Sequence, residues 1–476
     1  MAPAKVSIPA KSYTAERLLE SPQTGARDRL YDAPVRDLTR QPLSIPVPMS
    51  KQNSPATAFA TPPLIKRNII LFALSQSFNG AGMQLAYGIG PLMVLALTSS
   101  AALAGLSVAL IGFSRFIVAY PVGRIMDAYG RKPAILLGLG LALLGAIGLG
   151  LSIEIGNLAL MMVAMLAFGM GMNAAQQLRV AATDMFPPHR RGQALGYVAL
   201  GSLAGLVFFP PIMHFSEIYA PALGRQALGL PWLLMPILIL PGMLLIRLVR
   251  PDPKEIGMNL THYYPDYVPP PHIADEARPA FSWLRALRPL PIRLAVACNC
   301  ASQGNMAVIM VLTSLVLHTH GHSLSAIAVS HMFHSAGMFA FTIPLGWLSD
   351  RLGRGKVMYP GVGITMVGAA LVTFPDAFWS VTLGTFLVGL GWAAANVAAT
   401  AYIADHSETT ERGRTIGVND TCAGGTAVVM AVLTGPLIAG SGLAAAGIMA
   451  IAISWLPLLL LPAVLSERRR ARALGT

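Results

Sequence analysis

Charge is what this sequence has least of. Only 12% of its 476 residues are Asp, Glu, Lys or Arg, about half the share of an average soluble chain, while 54% are hydrophobic. So small a supply cannot cover a water-facing surface, and lipid is the expected solvent. Cysteine is scarce too. There are three, and Cys298 and Cys300 lie in an apolar stretch without a histidine at metal-ligand spacing. This gives no disulfide framework and no zinc pattern, and the thiols read as small buried hydrophobes. No G-x-x-x-x-G-K-[ST] loop is present, nor room for a nucleotide-binding domain, so nucleotide-driven work is excluded. The apolar stretches hold no convergent nucleophile and base and no cluster of metal ligands. No enzyme activity, metal or cofactor is expected.

What is present is a series of apolar stretches from Ile69 to Leu465, each of about 20 residues and long enough to cross a hydrocarbon core of roughly 30 Å. Candidate spans run near 69–90, 101–121, 133–153, 158–180, 194–215 and 229–249, then near 294–317, 324–345, 357–375, 378–403, 416–439 and 442–465. The expectation is an all-α membrane protein with twelve transmembrane helices in two pseudo-symmetric six-helix bundles, 66–250 and 291–466. Residues 1–65 precede them as a basic tail. Its Pro, Ser and Arg content, without an apolar run suited to a signal peptide, reads as disordered and cytoplasmic. A cytoplasmic linker, 251–290, is marked by Pro251, Pro253, Pro265 and Pro269 to Pro271, and a basic tail, 467–476, closes the chain. Within the linker, Arg278 to Arg288 reads equally as a basic amphipathic helix on the inner leaflet or as a solvated segment.

The net charge of +13 is unevenly spread. With both termini cytoplasmic, 31 of the 34 Lys and Arg residues lie in the tails and the cytoplasmic loops. Arg225 alone lies on the other side, and Arg115 and Arg179 fall within spans. This asymmetry follows the positive-inside rule. It explains the basic balance without a nucleic-acid partner. The expected setting is the cytoplasmic (inner) membrane, with lipid and a small-molecule substrate as partners and the chain acting as a monomer.

After the second span stands Gly123-Arg-Ile-Met-Asp127-Ala-Tyr-Gly130-Arg131-Lys132, and after the eighth stands Gly346-Trp-Leu-Ser-Asp350-Arg-Leu-Gly353-Arg354-Gly-Lys356. Both are G-x-x-x-D-x-x-G-R, 223 residues apart. A second pair supports the repeat: Asp184 with Arg191, Gly192 and Gly196 matches Asp405 with Arg412, Gly413 and Gly417, at an offset of 221. The halves are internal copies. These motifs resemble the loop signature of the major facilitator superfamily, carried between spans two and three and again between eight and nine. The resemblance covers about Ile65 to Ser466 and implies that superfamily's fold. It further implies that the motif glycine lets two helices approach, and that Asp127 engages the start of the eleventh helix, latching the inner gate in the outward-facing state. A carboxylate at a helix N-terminus is favoured by roughly 0.3–1 kcal/mol. In the second copy, Gly355 stands where a second basic residue is usual. The alternative reading is that Asp127, Arg131, Asp350 and Arg354 end helices and fix topology.

Charges inside spans are costly, so each is a functional candidate. Arg115 and Asp420 lie at similar depths in spans two and eleven, which are neighbours in the resembled family, and form a candidate gate pair. Arg179, five residues before Asp184, reads as part of the loop charge network. Met162 to Met172 in span four holds no basic residue, which weakens a drug/proton antiport assignment. In span eight, Ser330, His331, His334, Ser335 and Met338 share one face. The two histidines are candidates for a coupled proton or for structural hydrogen bonds. In spans one and seven, Gln76, Asn79, Gln84, Asn299, Ser302, Gln303 and Asn305 are candidate substrate partners, equally able to bond helices together. The tract His318, His320 and His322 has spacing that could hold a transition metal, though a solvated loop is the better reading.

The expected function is secondary active transport of a small organic solute by alternating access, open to proton coupling, with a lean to an organic anion from Arg115 and the positive intramembrane charge. Two alternatives stand: efflux of hydrophobic compounds, suited by the Met and aromatic content, and a non-transporting scaffold or receptor on a transporter fold.

Overall fold

A computed structural model of the protein describes residues 61–268, 281–408, 411–460 and Pro462. Every regular element among them is helical. The first bundle consists of α1 (Pro63–Thr98), α2 (Leu106–Tyr129), α3 (Arg131–Glu154), α4 (Leu158–Asp184), α5 (Arg191–Tyr219) and α6 (Leu230–Leu234 continuing as Pro236–Leu248). The second consists of α7 (Leu290–Thr319), α8 (Leu324–Ala340 and Thr342–Leu352), α9 (Gly355–Thr373), α10 (Phe378–His406), α11 (412–441) and α12 (443–453, extended by the short turn Leu456–Leu460). Two of these passes are defined by breaks. α8 bends by 42° after Ala340, where Pro344 lacks the N–H that would bond the Ala340 carbonyl. α11 and α12 run together except at Gly442, whose φ of 85° and ψ of 173° suit a residue without Cβ. Twelve apolar passes result, at the predicted places, with most helices extending a few residues beyond the predicted spans.

Lipid supplies no hydrophobic drive between helices, so close backbone packing must hold them together. Small residues supply it. Between α3 and α4, a Cβ on Gly145 would stand 2.4 Å from the Phe168 nitrogen, and one on Gly171 would stand 2.3 Å from that of Ala142. The counterpart pair α9 and α10 repeats the device, with Gly368 and Gly391 each placing such an atom 2.5 Å from a facing carbonyl. The inner helices α1 and α7 are the most enclosed.

The bundles meet at the end away from the basic loops. There α2 and α11 touch through Gly105, where a Cβ would fall 1.8 Å from the Ala431 carbonyl oxygen, and Gly435, 2.1 Å from that of Ala102. Ser314 Oγ on α7 donates to the Gly88 carbonyl on α1 at 2.7 Å. The Glu217 carboxylate, at the end of α5, accepts the first backbone N–H groups of α8, from Leu324 and, at 3.0 Å, from Ser325. Toward the basic end the bundles part, and the Cβ positions of Gly123, Gly192, Gly196, Gly413 and Gly417 meet nothing within 4 Å.

Pro63–Ile65, assigned to the tail, form the start of α1. The linker is partly folded, with short helices Pro253–Met258, Leu260–Tyr263 and Trp283–Ala286. Tyr264 packs under the end of α4 with its hydroxyl on the Met185 carbonyl at 3.3 Å, and burial pushes its phenol up to about 12. The segment Arg278 to Arg288 contributes only the one-turn Trp283–Ala286, with Leu284 80% exposed; its first residues, the tail before residue 61 and the 467–476 tail lie outside the described residues.

Candidate functional site: a cavity between the two bundles

The parted bundles enclose a cavity of about 620 Å³ walled by α1, α2 and α4 on one side and α7, α8, α10 and α11 on the other. That volume lies within the range of small-molecule sites. Its charged groups are Arg115, Arg179 and Asp420. Arg115 Nη2 stands 3.5 Å from Asp420 Oδ2, joining α2 to α11 across the cavity. These side chains retain 55% and 42% of their exposure. With the far end closed, solvent reaches them from the basic end. So exposed a pair is worth about 1 kcal/mol or less to stability. Its interest lies in bridging two bodies.

Arg179 departs from expectation. It reads as part of the loop charge network, but there the Asp184 carboxylate pairs with Arg131 at 2.7 Å, and Arg179 lines the cavity with its guanidinium 5.9 Å from the Phe339 ring. Asn173, Gln176, Gln177 and Val180 follow the i, i+3, i+4, i+7 spacing of one helix face and line the cavity, and Arg179 borders that face in a turn tightened to 3₁₀ bonds, Gln177 N–H to the Ala174 carbonyl and Arg179 N–H to that of Gln176.

The amides divide. Gln303 lines the cavity and its Oε1 accepts the Trp392 indole N–H; Gln84 lines it from α1. Gln76, Asn79 and Asn299 are not in its wall; their amides are bonded within their own bundle. Gln76 donates to Ser202 Oγ at 3.1 Å on α5. Asn79 donates to Ser75 Oγ at 3.2 Å beside α6, and Asn299 accepts from Asn396 Nδ2 at 3.0 Å on α10. Asn305 likewise donates to the Ala450 carbonyl at 2.8 Å, and Ser302 to that of Asn299. The two histidines share a helix face but separate in surroundings. His334 is on the cavity wall, its Nδ1 on the Thr385 carbonyl at 2.8 Å. His331 is sealed at the bundle junction, its Nδ1 on the Ile327 carbonyl at 3.1 Å and its Nε2 3.5 Å from Ser314 Oγ. In the His318, His320 and His322 tract, His320 Nδ1 is 2.7 Å from the Val316 carbonyl and the His322 ring packs at a tilt of 54° on Phe378.

The repeated motifs build matching charge networks at the basic end. Arg131 bridges Asp127 at 3.1 Å and Asp184 at 2.7 Å; Arg354 bridges Asp350 and, at 3.0 Å, Asp405. These bonds, Asp350 foremost, hold the Arg354 guanidinium above its ordinary range. Asp127 is 79% exposed, and its described partners are Arg131 and, at its carbonyl, Lys254. The first network gains linker residue Asp252, whose carboxylate accepts the Arg131 and Lys132 N–H groups at 2.9 and 3.0 Å. Gly130 is required there twice over: its φ is +103°, and a Cβ would meet Asp252 Oδ2 at 2.8 Å. Gly353, its counterpart, has φ +100° but open space beside it.

A duplicated six-helix architecture with duplicated charge networks matches one known family across both halves. The sequence profile of the Major Facilitator Superfamily fits residues 72–262 and 292–475. The chain belongs to that superfamily. It is a multi-pass membrane transporter, not an enzyme. Of similar proteins, the uncharacterized MFS-type transporter YdeG of Bacillus subtilis is 27% identical over 410 residues, covering 86% of this chain and 93% of that protein. The riboflavin transporter RfnT of Brucella anthropi is 25% identical over 382 residues, covering 79% and 90%. Among solved structures, the nucleoside transporter NupG superposes with a TM-score of 0.59 at 14% identity, covering 85% of this chain and 99% of that one, a likeness of fold. Members of this superfamily bind small-molecule substrates, which makes the inter-bundle cavity the candidate site here. Sequence reasoning missed Tyr87, Gln177 and Trp392 in its wall, and Glu217 at the closed end. Only Glu217 left a signal, as an acidic residue just past a predicted span.

Proposed function

We propose that this superfamily member is a secondary transporter that carries a small organic solute across the cytoplasmic (inner) membrane by alternating access, with both termini and the basic end in the cytoplasm. The observation that carries this reading is the cavity itself, sealed at one end by contacts between bundles and reachable by solvent from the other. On this reading the structure is inward-facing. Moving outward, the bundles would rock about the site, part Glu217 from α8, and bring the glycine-bearing ends of α2, α5 and α11 together, with Asp127 free to engage α11. Arg115 and Asp420 hold the bundles in register across the cavity.

Two guanidinium groups and one carboxylate leave the cavity net positive, which favours an organic anion. RfnT makes riboflavin the first neutral candidate, and a flat ring system suits a wall with Tyr87, Phe339 and Trp392. A second reading, efflux of hydrophobic compounds, is favoured by Met83, Met306, Met310 and Met338 in the same wall. Asp420 and His334 are the cavity groups able to exchange a proton. Uptake of labelled riboflavin, 2-naphthoate and a hydrophobic cation into proteoliposomes, with and without a pH gradient, tests these choices. Saturable uptake of one is expected, and a response to the gradient marks proton coupling. Folded protein that moves none of them, and none of a broader metabolite panel, would favour the scaffold reading instead.

A further inference from the structure

Within the cavity, polar groups fall into those already paired and those left free. Arg115 has Asp420, Gln303 has Trp392, and Asn173 donates to the Gly169 carbonyl at 2.8 Å and to Ser114 Oγ at 3.1 Å. Arg179 makes no ion pair or side-chain hydrogen bond among the described residues; its guanidinium lies 5.9 Å from the Phe339 ring and within electrostatic reach of Arg115. Gln84 and Gln177 make no side-chain hydrogen bonds there either. An unpaired guanidinium inside a membrane protein is expensive unless it is hydrated or serves a ligand. This one lines the cavity wall from the last turns of α4, beside Gln176 and Gln177 on the same wall.

We propose that Arg179 is the anion anchor of the cavity and that the solute class is an aromatic carboxylate. The carboxylate takes the two-pronged face of the Arg179 guanidinium, a geometry that Arg offers and Lys does not. The ring lies beside Phe339, whose face already borders the cation, and the Gln84 and Gln177 amides serve polar substituents. One monoanion then neutralises the cavity, since Arg115 is matched by Asp420. This assignment deepens the transporter reading and rests on the cavity being the solute site.

The test uses two probes of one shape, 2-naphthoate and 2-naphthamide, titrated onto the purified full-length protein. Wild type is expected to bind the carboxylate about 10-fold or more tightly than the amide, the discrimination of a charge-assisted bidentate pair. Arg179→Met should bring that ratio to near one, chiefly by weakening the carboxylate, with amide binding still measurable. Arg179→Lys should keep part of it. Phe339→Leu should weaken both probes and preserve the ratio, a pattern that a folding defect would not give. A ratio that survives in Arg179→Met, or one absent from wild type, overturns the assignment. The two readings fail separately: riboflavin uptake without carboxylate preference removes the anion site and leaves the transporter, whereas Arg179-dependent naphthoate binding without any flux leaves the site and removes transport.

Discussion

At the scale of single residues, the charges differ in setting: Arg131 and Asp184 pair at the basic end, while Arg115 and Asp420 pair across the cavity. Replacing either member of the Arg115 and Asp420 pair by its neutral isostere, Arg115→Gln or Asp420→Asn, should change thermal stability little, because an exposed pair contributes about 1 kcal/mol or less. Uptake should nevertheless fall several-fold, and the exchanged pair Arg115→Asp with Asp420→Arg should recover part of it; initial rates in proteoliposomes decide this. Gly130 and Gly353 give a stability comparison. Both sit in a conformation that costs another residue about 1–3 kcal/mol, but Gly130→Ala also displaces Asp252 from the start of α3. It should therefore lower the melting temperature more than Gly353→Ala, and equal losses would count against a structural role for the linker carboxylate. The Arg115 and Asp420 juxtaposition was legible in the sequence because each sits at a similar depth in spans two and eleven, which are neighbours in the resembled family. Arg179 was not, since its place near the end of span four groups it with the loop charge network, whose Asp184 carboxylate is held by Arg131. Gln76, Asn79 and Asn299 show the complementary limit: the sequence places an amide on a span, but not which side of the span faces the cavity.

At the scale of elements, the closed end rests on two kinds of contact, and each can be weakened alone. A carboxylate at a helix N-terminus gains from the dipole and from charge-assisted bonds, together worth about 1–3 kcal/mol. Glu217→Ala should thus shift the population several-fold toward the state open at that end. Gly105→Val should do so more completely, because its side chain cannot coexist with the Ala431 carbonyl 1.8 Å from where its Cβ would lie. Spin labels at Tyr219→Cys and Ser325→Cys, in a background lacking the native cysteines, should report longer distances in both variants; unchanged distances would mean that these contacts do not hold the end shut. The helices themselves were legible as apolar runs, down to the separate passes either side of Gly442. The bend in α8 was not, because it depends on how a local loss of backbone bonds is accommodated by neighbouring helices. The Glu217 contact was hidden for a similar reason: it joins the end of α5 to the start of α8, residues far apart in sequence and outside the repeat.

At the scale of the whole molecule, duplication set the architecture and the departures from it set the behaviour. The two motif networks are near copies, yet among the described residues Asp252 and Lys254 tie the first to the linker, and the arginines lining the cavity, Arg115 and Arg179, both come from the first bundle. The two-bundle fold could be read from repeated motifs and charge asymmetry alone. The cavity's membership could not, since it is decided by how twelve helices rotate against each other in a solvent that penalises every unpaired polar group. The central claim, that one path opens alternately to either end, does not depend on knowing the solute. It is tested most directly by the reactivity of a single cysteine at Met338→Cys, in mid-cavity, toward a membrane-impermeant maleimide applied to one face of oriented vesicles at a time. Labelling is expected from the basic side in the native background and from the opposite side once Glu217→Ala or Gly105→Val is added, with a 219–325 disulfide abolishing only the latter. A cavity that the reagent never reaches from the opposite side, whatever is done to the closed end, would contradict the account.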